Sequence, residues 1–266
     1  MIDSHCHFDF EVFDDGRSET LQQCAAAGVD GVLIPGTHPG QWASLLALVA
    51  QPDLPCKLWA AVGWHPWWVA DSNADVERED HLNEHGFKER LAHHLGSSSV
   101  VAIGECGLDG SLDTPVDKQL PVFEWQLQLA EAFNLPLILH AHKAHNEVLQ
   151  QLSRFKPAAG GVIHGFSGSL ELAQQYWRLG FYLGVGGTIT YERAKKTRRA
   201  IAGMPLDSLL LETDAPDMPL SGFQGQPNTP LRLPLVAQCL ADLKELPLTE
   251  IQKQTDQNTR QIFALS

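Results

Sequence analysis

The chain has 266 residues, of which 44% are hydrophobic and 19% charged, enough apolar material for a substantial core and too much for a disordered polypeptide. Its 19 basic side chains against 32 acidic ones give a formal charge of −13, which disfavours nonspecific binding to long duplex DNA; an anionic substrate would need local positive charge, and bound metal ions would supply it. Five well-separated cysteines (Cys6, Cys24, Cys56, Cys106, Cys239) with no CxxC pair argue for a reducing compartment, and no leader or bilayer-length apolar run is found, so a cytoplasmic protein with no membrane partner is expected.

Along the chain, eight apolar segments of strand length alternate with stretches of helical period, the pattern of βα units around a parallel sheet. They fall at 1–5, 31–36, 57–65, 100–105, 136–140, 160–164, 181–186 and 209–213. Between them, 119–134 carries Val122, Phe123, Leu127, Leu129, Ala130 and Phe133 mostly on one helical face. The stretch 169–180 ends at Gly180, where a left-handed cap is expected. No linker or composition shift divides the sequence, which predicts one domain over 1–266, a closed (β/α)8 barrel of TIM type. A doubly wound open sheet is the competing architecture.

In a barrel the carboxyl ends of the strands share one mouth, where active sites of this fold lie. In chain order those ends read His5 and His7, Thr37, His65, Glu105, His140, His164, the glycines at 184, 186 and 187, and Asp214. Alternation along an extended segment points His5 and His7 the same way and Cys6 the other. By itself the HxH is as readily a pair of ordinary hydrogen-bonded histidines. With Glu105, His140, His164 and Asp214 it becomes a set of four imidazoles and two carboxylates without thiolate, suited to two divalent ions such as Zn, Mn or Mg. Cys6 and Cys106 are turned away from the set and read as packing thiols.

The stretches "IDSHCHFD", "IGECGLD", "QLQLAEAFNLPLILH", "HGFSGS" and "LLLETDAPDMPLSGFQGQPNTP" together resemble the TatD-related metal-dependent hydrolases of the amidohydrolase superfamily. "GVGGTITY" and "TDAPDMPL" narrow the likeness to one bacterial branch. The motifs span 2–230 in the family's order. The resemblance implies a barrel holding two metals, with His5, His7 and Asp214 on one ion, His140 and His164 on the other, and Glu105 as the bridge. It also implies a phosphodiesterase, most simply a deoxyribonuclease, and assigns His65 to the scissile group. Three positions depart from the pattern. "GECGLDG" lacks an aromatic residue after its aspartate, His142 stands where relatives commonly carry arginine, and Gln224 where many carry a basic residue. If those positions grip phosphate in relatives, the grip is weakened in this chain and the nuclease reading loses some force.

Two ions about 3.5 to 4 Å apart clamp the attacking and leaving oxygens of a displacement and lower the pKa of a bridging water. Asp214 is the candidate to orient or deprotonate that water, with Glu105 as its catalytic partner. Glu212 reads equally as a partner of a metal-binding histidine and as an ordinary buried glutamate. Trp64, Trp67 and Trp68 offer base stacking or packing beneath a loop, packing being the commoner use. The basic run Arg193, Lys195, Lys196, Arg198 and Arg199 reads first as a solvated helix face and second as a steering patch. The glycines before it mark close backbone approach or positive φ. No GxSxG elbow, Walker loop or GxGxxG is present.

Three functions follow: hydrolysis of DNA or another phosphodiester; hydrolysis of a small-molecule amide, lactone or phosphoester on the same centre; and noncatalytic binding of a metal or ligand. The first leads, and no obligate protein partner is expected.

Overall fold

The computed structural model describes residues 1–69, 84–97 and 99–265. The eight strands are β1 (Ile2–Asp3), β2 (Gly31–Pro35), β3 (Lys57–Val62), β4 (Val100–Asp109), β5 (Leu137–His142), β6 (Gly161–Ile163), β7 (Phe181–Val185) and β8 (Leu209–Leu211). All the pairings are parallel and follow chain order. Just past the edge strands, Ser4 N–H donates to Leu211 O at 3.0 Å and Asp214 N–H to His5 O at 2.9 Å. These bonds join the first strand to the last and set the open-sheet alternative aside.

The helices are α1 (Arg17–Ala26), α2 (Trp42–Val49), α3 (Glu84–Leu95), α4 (Val116–Phe133), α5 (His145–Phe155), α6 (Leu170–Arg178), α7 (Lys195–Gly203), α8 (Leu233–Lys244) and α9 (Leu248–Ile262). Strands covered by helices outside and by side chains inside have no wet face, which is why they read as near-continuous apolar runs. The barrel interior is an apolar cluster that includes Leu33, Trp59, Ile138, Val162, Tyr182 and Leu210, capped from the C-terminal segment by Phe263 and Leu265. A larger apolar layer between strands and helices takes in Cys6 and Cys106, both fully buried as free thiols.

α4 shows how the outer layer serves the rim. Val122, Phe123, Leu127, Leu129 and Ala130 are buried as the periodicity predicts, but Phe133, at the last turn, is 42% exposed. Two glutamines share the buried face. Gln126 donates to Trp64 O and accepts from Trp64 N–H, while Gln119 donates to Asp109 O and accepts from Asp109 N–H. Each amide side chain satisfies a strand-end backbone that would otherwise be buried without partners. After α6, Gly180 takes φ +86°, the expected left-handed residue. β4 runs four residues beyond the expected end at 105 because its continuation pairs with β5, Asp109 lying opposite His142.

Candidate metal centre

Seven polar side chains from the ends of β1, β3, β4, β5, β6 and β8 meet at the carboxyl rim, with Glu105 in the middle. Its two oxygens face different partners. Oε2 lies 3.3 Å from His5 Nε2 and 3.5 Å from His7 Nε2. Oε1 lies 2.8 Å from His164 Nε2, 3.3 Å from His140 Nδ1 and 3.1 Å from His65 Nε2. Asp214 Oδ1 joins the first group, 3.5 Å from His5 Nε2 and 3.7 Å from His7 Nε2. All six residues read from the sequence as ligands are therefore brought together. The two groups adjoin, because the His5 and His164 rings stack with centroids 4.0 Å apart. His5, His7, His65 and Glu105 are buried, while His140, His164 and Asp214 are half-buried.

The cluster fits a divalent cation by its chemistry. Imidazole nitrogens of His5 and His7 approach to 3.4 Å and those of His140 and His164 to 3.2 Å. Lone-pair atoms face one another around a buried carboxylate, and three overlapping triads hold their donor atoms within 4.8 Å of each other. A cation would satisfy donors that otherwise compete for protons. Burial alone would raise Glu105, but the imidazoles, His164 foremost, hold it well below the usual range. Burial likewise opposes charge on His164, and the Glu105 carboxylate overcomes it, lifting that ring to about 10. His7 is lowered to about 4, chiefly by burial, and His5 is lowered well below its ordinary value for the same reason. Burial raises Asp214 to about 7.

His65 differs from the other rings. Its Nδ1 accepts from Trp67 N–H at 3.1 Å, so the neutral ring carries its proton on Nε2, aimed at Glu105 Oε1. A protonated Nε2 is a donor and not a ligand, which agrees with its assignment to the substrate side. Asp214 sits at φ +54°, in the left-handed region that costs a non-glycine residue energy. The bond from its N–H to His5 O holds it there and links the two ends of the donor set.

Two residues that the sequence reading did not use complete the frame. Asp109 Oδ2 lies 3.0 Å from His140 Nε2 and its Oδ1 accepts from Ser111 N–H and Oγ. It fixes the proton on Nε2 and leaves Nδ1 to face the cluster. No local signal in the sequence marks it, because the expected strand stops at 105 and only pairing with β5 carries β4 on to Asp109. Asp3 accepts from His5 N–H, Thr213 N–H and Thr213 Oγ1, tying β1 to the segment that carries Asp214. Glu212 is fully buried, and its Oε1 accepts from Gly165 N–H at 2.5 Å, bracing the residue next to His164. A Cβ at residue 184 would lie 2.1 Å from Glu212 Oε2, so Gly184 makes room for it. The glycines of 184–187 serve close approach; none has positive φ.

Of the tryptophans, Trp64 is buried and packs on Phe87, while Trp67 and Trp68 are 50% and 40% exposed. In the basic run, Arg193, Lys195, Lys196 and Arg199 are exposed and Arg198 turns inward to Ile189 O and Cys239. That is largely a solvated helix face. His142 and Gln224 are exposed, Gln224 accepting from Gly222 N–H. No helix among the described residues is long and apolar enough to cross a membrane.

A parallel eight-stranded barrel with a buried histidine and carboxylate cluster at its carboxyl rim has the build of a metal-dependent hydrolase. The model of the TatD-related DNase family matches residues 2–264, and the chain belongs to that family. It is 44% identical over 264 residues to YjjV of Escherichia coli K12, an uncharacterized metal-dependent hydrolase, covering 99% of this chain and 97% of that protein. The crystal structure of the E. coli protein superposes with a TM-score of 0.91 at 42% identity, covering 100% of this chain and 98% of the other. The likeness is to the YjjV-like branch that the glycine-rich and "TDAPDMPL" stretches indicate. At 30% identity over 276 residues, with full coverage of both chains, it is also similar to the 3'-5' ssDNA/RNA exonuclease TatD of Pectobacterium parmentieri.

Proposed function

We propose that the protein is a metal-dependent phosphodiesterase that cleaves DNA or other short nucleic acid, and that His5, His7 and Asp214 hold one divalent ion, His140 and His164 a second, with Glu105 between them. The observation that carries this reading is the division of the Glu105 carboxylate, one oxygen toward each donor group. Bound ions of this kind supply positive charge for phosphoryl oxygens and acidify water. The chain's own groups do the rest. Asp214, which adjacent cations would keep ionised, can take a proton from an attacking water. His65, donating through Nε2, can bind a phosphoryl oxygen that displaces its contact with Glu105. Asp109 and Glu212 keep the β5 and β6 donors in position. The name of the Pectobacterium relative supports nucleic acid as the substrate class.

A second reading is hydrolysis of a small-molecule ester, lactone or amide. It is favoured by the exposed Gln224 and His142, which leave two rim positions without a permanent cation. One experiment separates the two: metal content measured beside a panel of single-stranded oligonucleotides, small phosphodiesters, lactones and amides, with Asp214→Asn as control. Shortening of oligonucleotides by the wild-type protein and not by the variant is the expected result. Turnover of lactones or amides with intact oligonucleotides would transfer the proposal to the second reading.

A further inference from the structure

A groove of about 480 Å³ lies between the loops that follow β1, β2 and β3, within the size range of small-ligand sites. Its walls include Phe10, Val12, His38, Trp68 and Pro216. Two of its wall residues adjoin the cluster. The Phe10 ring stacks on His7, with centroids 4.7 Å apart and planes 16° apart, and Pro216 follows Asp214 by two residues. Across it, the His38 and Trp68 rings lie 4.7 Å apart, and Trp68 and Val12 are 40% and 52% exposed. It is an aromatic slot beside the histidine and carboxylate cluster.

Its charge decides what can enter. Among the described residues of the lining, Asp9 and Glu11 are the charged ones, and both are acidic. His38 is lowered by burial and then by the nearby Arg90 charge, so it stands neutral at pH 7. Gln41 is held by its neighbours: its Oε1 accepts from Thr37 N–H and Oγ1 at 2.6 and 2.8 Å, and its Nε2 donates to Asp9. A phosphate would face the carboxylates of Asp9 and Glu11 there, whereas a flat neutral ring finds stacking surfaces. The cationic side of the rim is elsewhere, where Arg193 lines a hollow of about 280 Å³ with Tyr191 and Met218.

We infer that this groove is a subsite for one unpaired nucleobase of the substrate, stacked on Trp68 and Phe10 beside the phosphodiester at the cluster, an inference that rests on the nuclease reading. The base must be out of its duplex to enter, and the backbone leaves toward the Arg193 side.

Two measurements test it. Adenosine, which has no phosphate, titrated into the metal-loaded protein is expected to change tryptophan emission saturably, while ribose 5-phosphate does not. Trp68→Ala is expected to weaken adenosine binding about tenfold, the scale of one stacked base, with Trp68→Phe restoring most of it. In parallel, kcat/KM is read on oligonucleotides each carrying one abasic residue. A loss of about tenfold is expected at one position near the cleaved bond, and Trp68→Ala is expected to add nothing on that oligonucleotide. Oligonucleotides cut at rates indifferent to every abasic position and to Trp68, or adenosine binding unchanged in Trp68→Ala, overturn the subsite and leave the nuclease reading standing. If no oligonucleotide is cut, that reading falls and the subsite with it.

Discussion

The two ends of the barrel are built from the same eight strands and are opposites in chemistry. At the amino end, Phe263 and Leu265 close an interior of aliphatic and aromatic side chains. At the carboxyl end the same strands deliver imidazoles and carboxylates into nearly equal burial. The first arrangement gains free energy by removing apolar surface from water; the second costs free energy unless a cation or mutual pairing offsets desolvation. Stability and chemistry are thus assigned to separate ends. The separation can be broken from either side.

The largest effect is expected from Glu105→Ala, which removes the group between the two donor sets. Hydrolysis should fall on the order of 10³-fold or more, as for removal of a residue acting as part of a unit, with the far-ultraviolet spectrum unchanged. The imidazoles it leaves can shed their protons, so no buried charge is stranded. Loss of the folded spectrum would contradict the division of labour. Next, Phe263→Ala at the other end should lower stability by about 3 to 5 kcal/mol in denaturant titration, through a cavity in a fully packed layer. Its kcat per folded molecule should match the wild type, and a large fall in kcat would show the ends to be coupled.

Asp109→Asn sharpens the comparison within the rim. The amide can present its NH2 to His140, which favours the wrong ring tautomer, and metal affinity is expected to drop about 10- to 100-fold in a competition titration with a chelator. Asp109→Glu should recover part of it. The smallest effect is in pH. Asp214 and Glu212 are raised by burial to about 7 and about 8. In metal-free protein both bind protons more tightly than in the unfolded chain, so their contribution to stability is complete below their ordinary values and is lost as pH rises through 7 to 8. A bound cation displaces those protons. Metal affinity should therefore climb about tenfold per pH unit for each proton released, and the Tm gain on adding metal should widen from pH 6 to pH 8. A gain that shrinks over that range would reverse the sign.

Much of this was legible in the sequence, because the fold writes its functional residues at strand ends. His5, His7, Glu105, His140, His164 and Asp214 each follow an apolar run, and the parallel barrel brings those ends together. What was hidden depends on pairing between segments. Asp109 looked like a loop residue, since nothing local says that β4 runs past Glu105; its pairing with β5 decides that. Asp3 precedes the HxH in plain sight, yet its partner Thr213 is 210 residues away. The proton position on His65 is set by Trp67 N–H, a matter of turn geometry. The aromatic groove draws on three loops that share no periodicity. Phe133, apolar and in register, is exposed because the last turn of α4 outruns the layer it packs on.

The knot between Asp3 and Thr213 sets an order of events during synthesis. Asp3 and Thr213 stand 210 residues apart, so Asp214 is made long after His5, its neighbour in the cluster. A growing chain therefore carries an incomplete set of donors until Asp214 is made, and a cation held by the whole set would bind only as the ring closes. Loading with metal would then time-stamp the completed barrel, and its rate would report how quickly the two ends find each other.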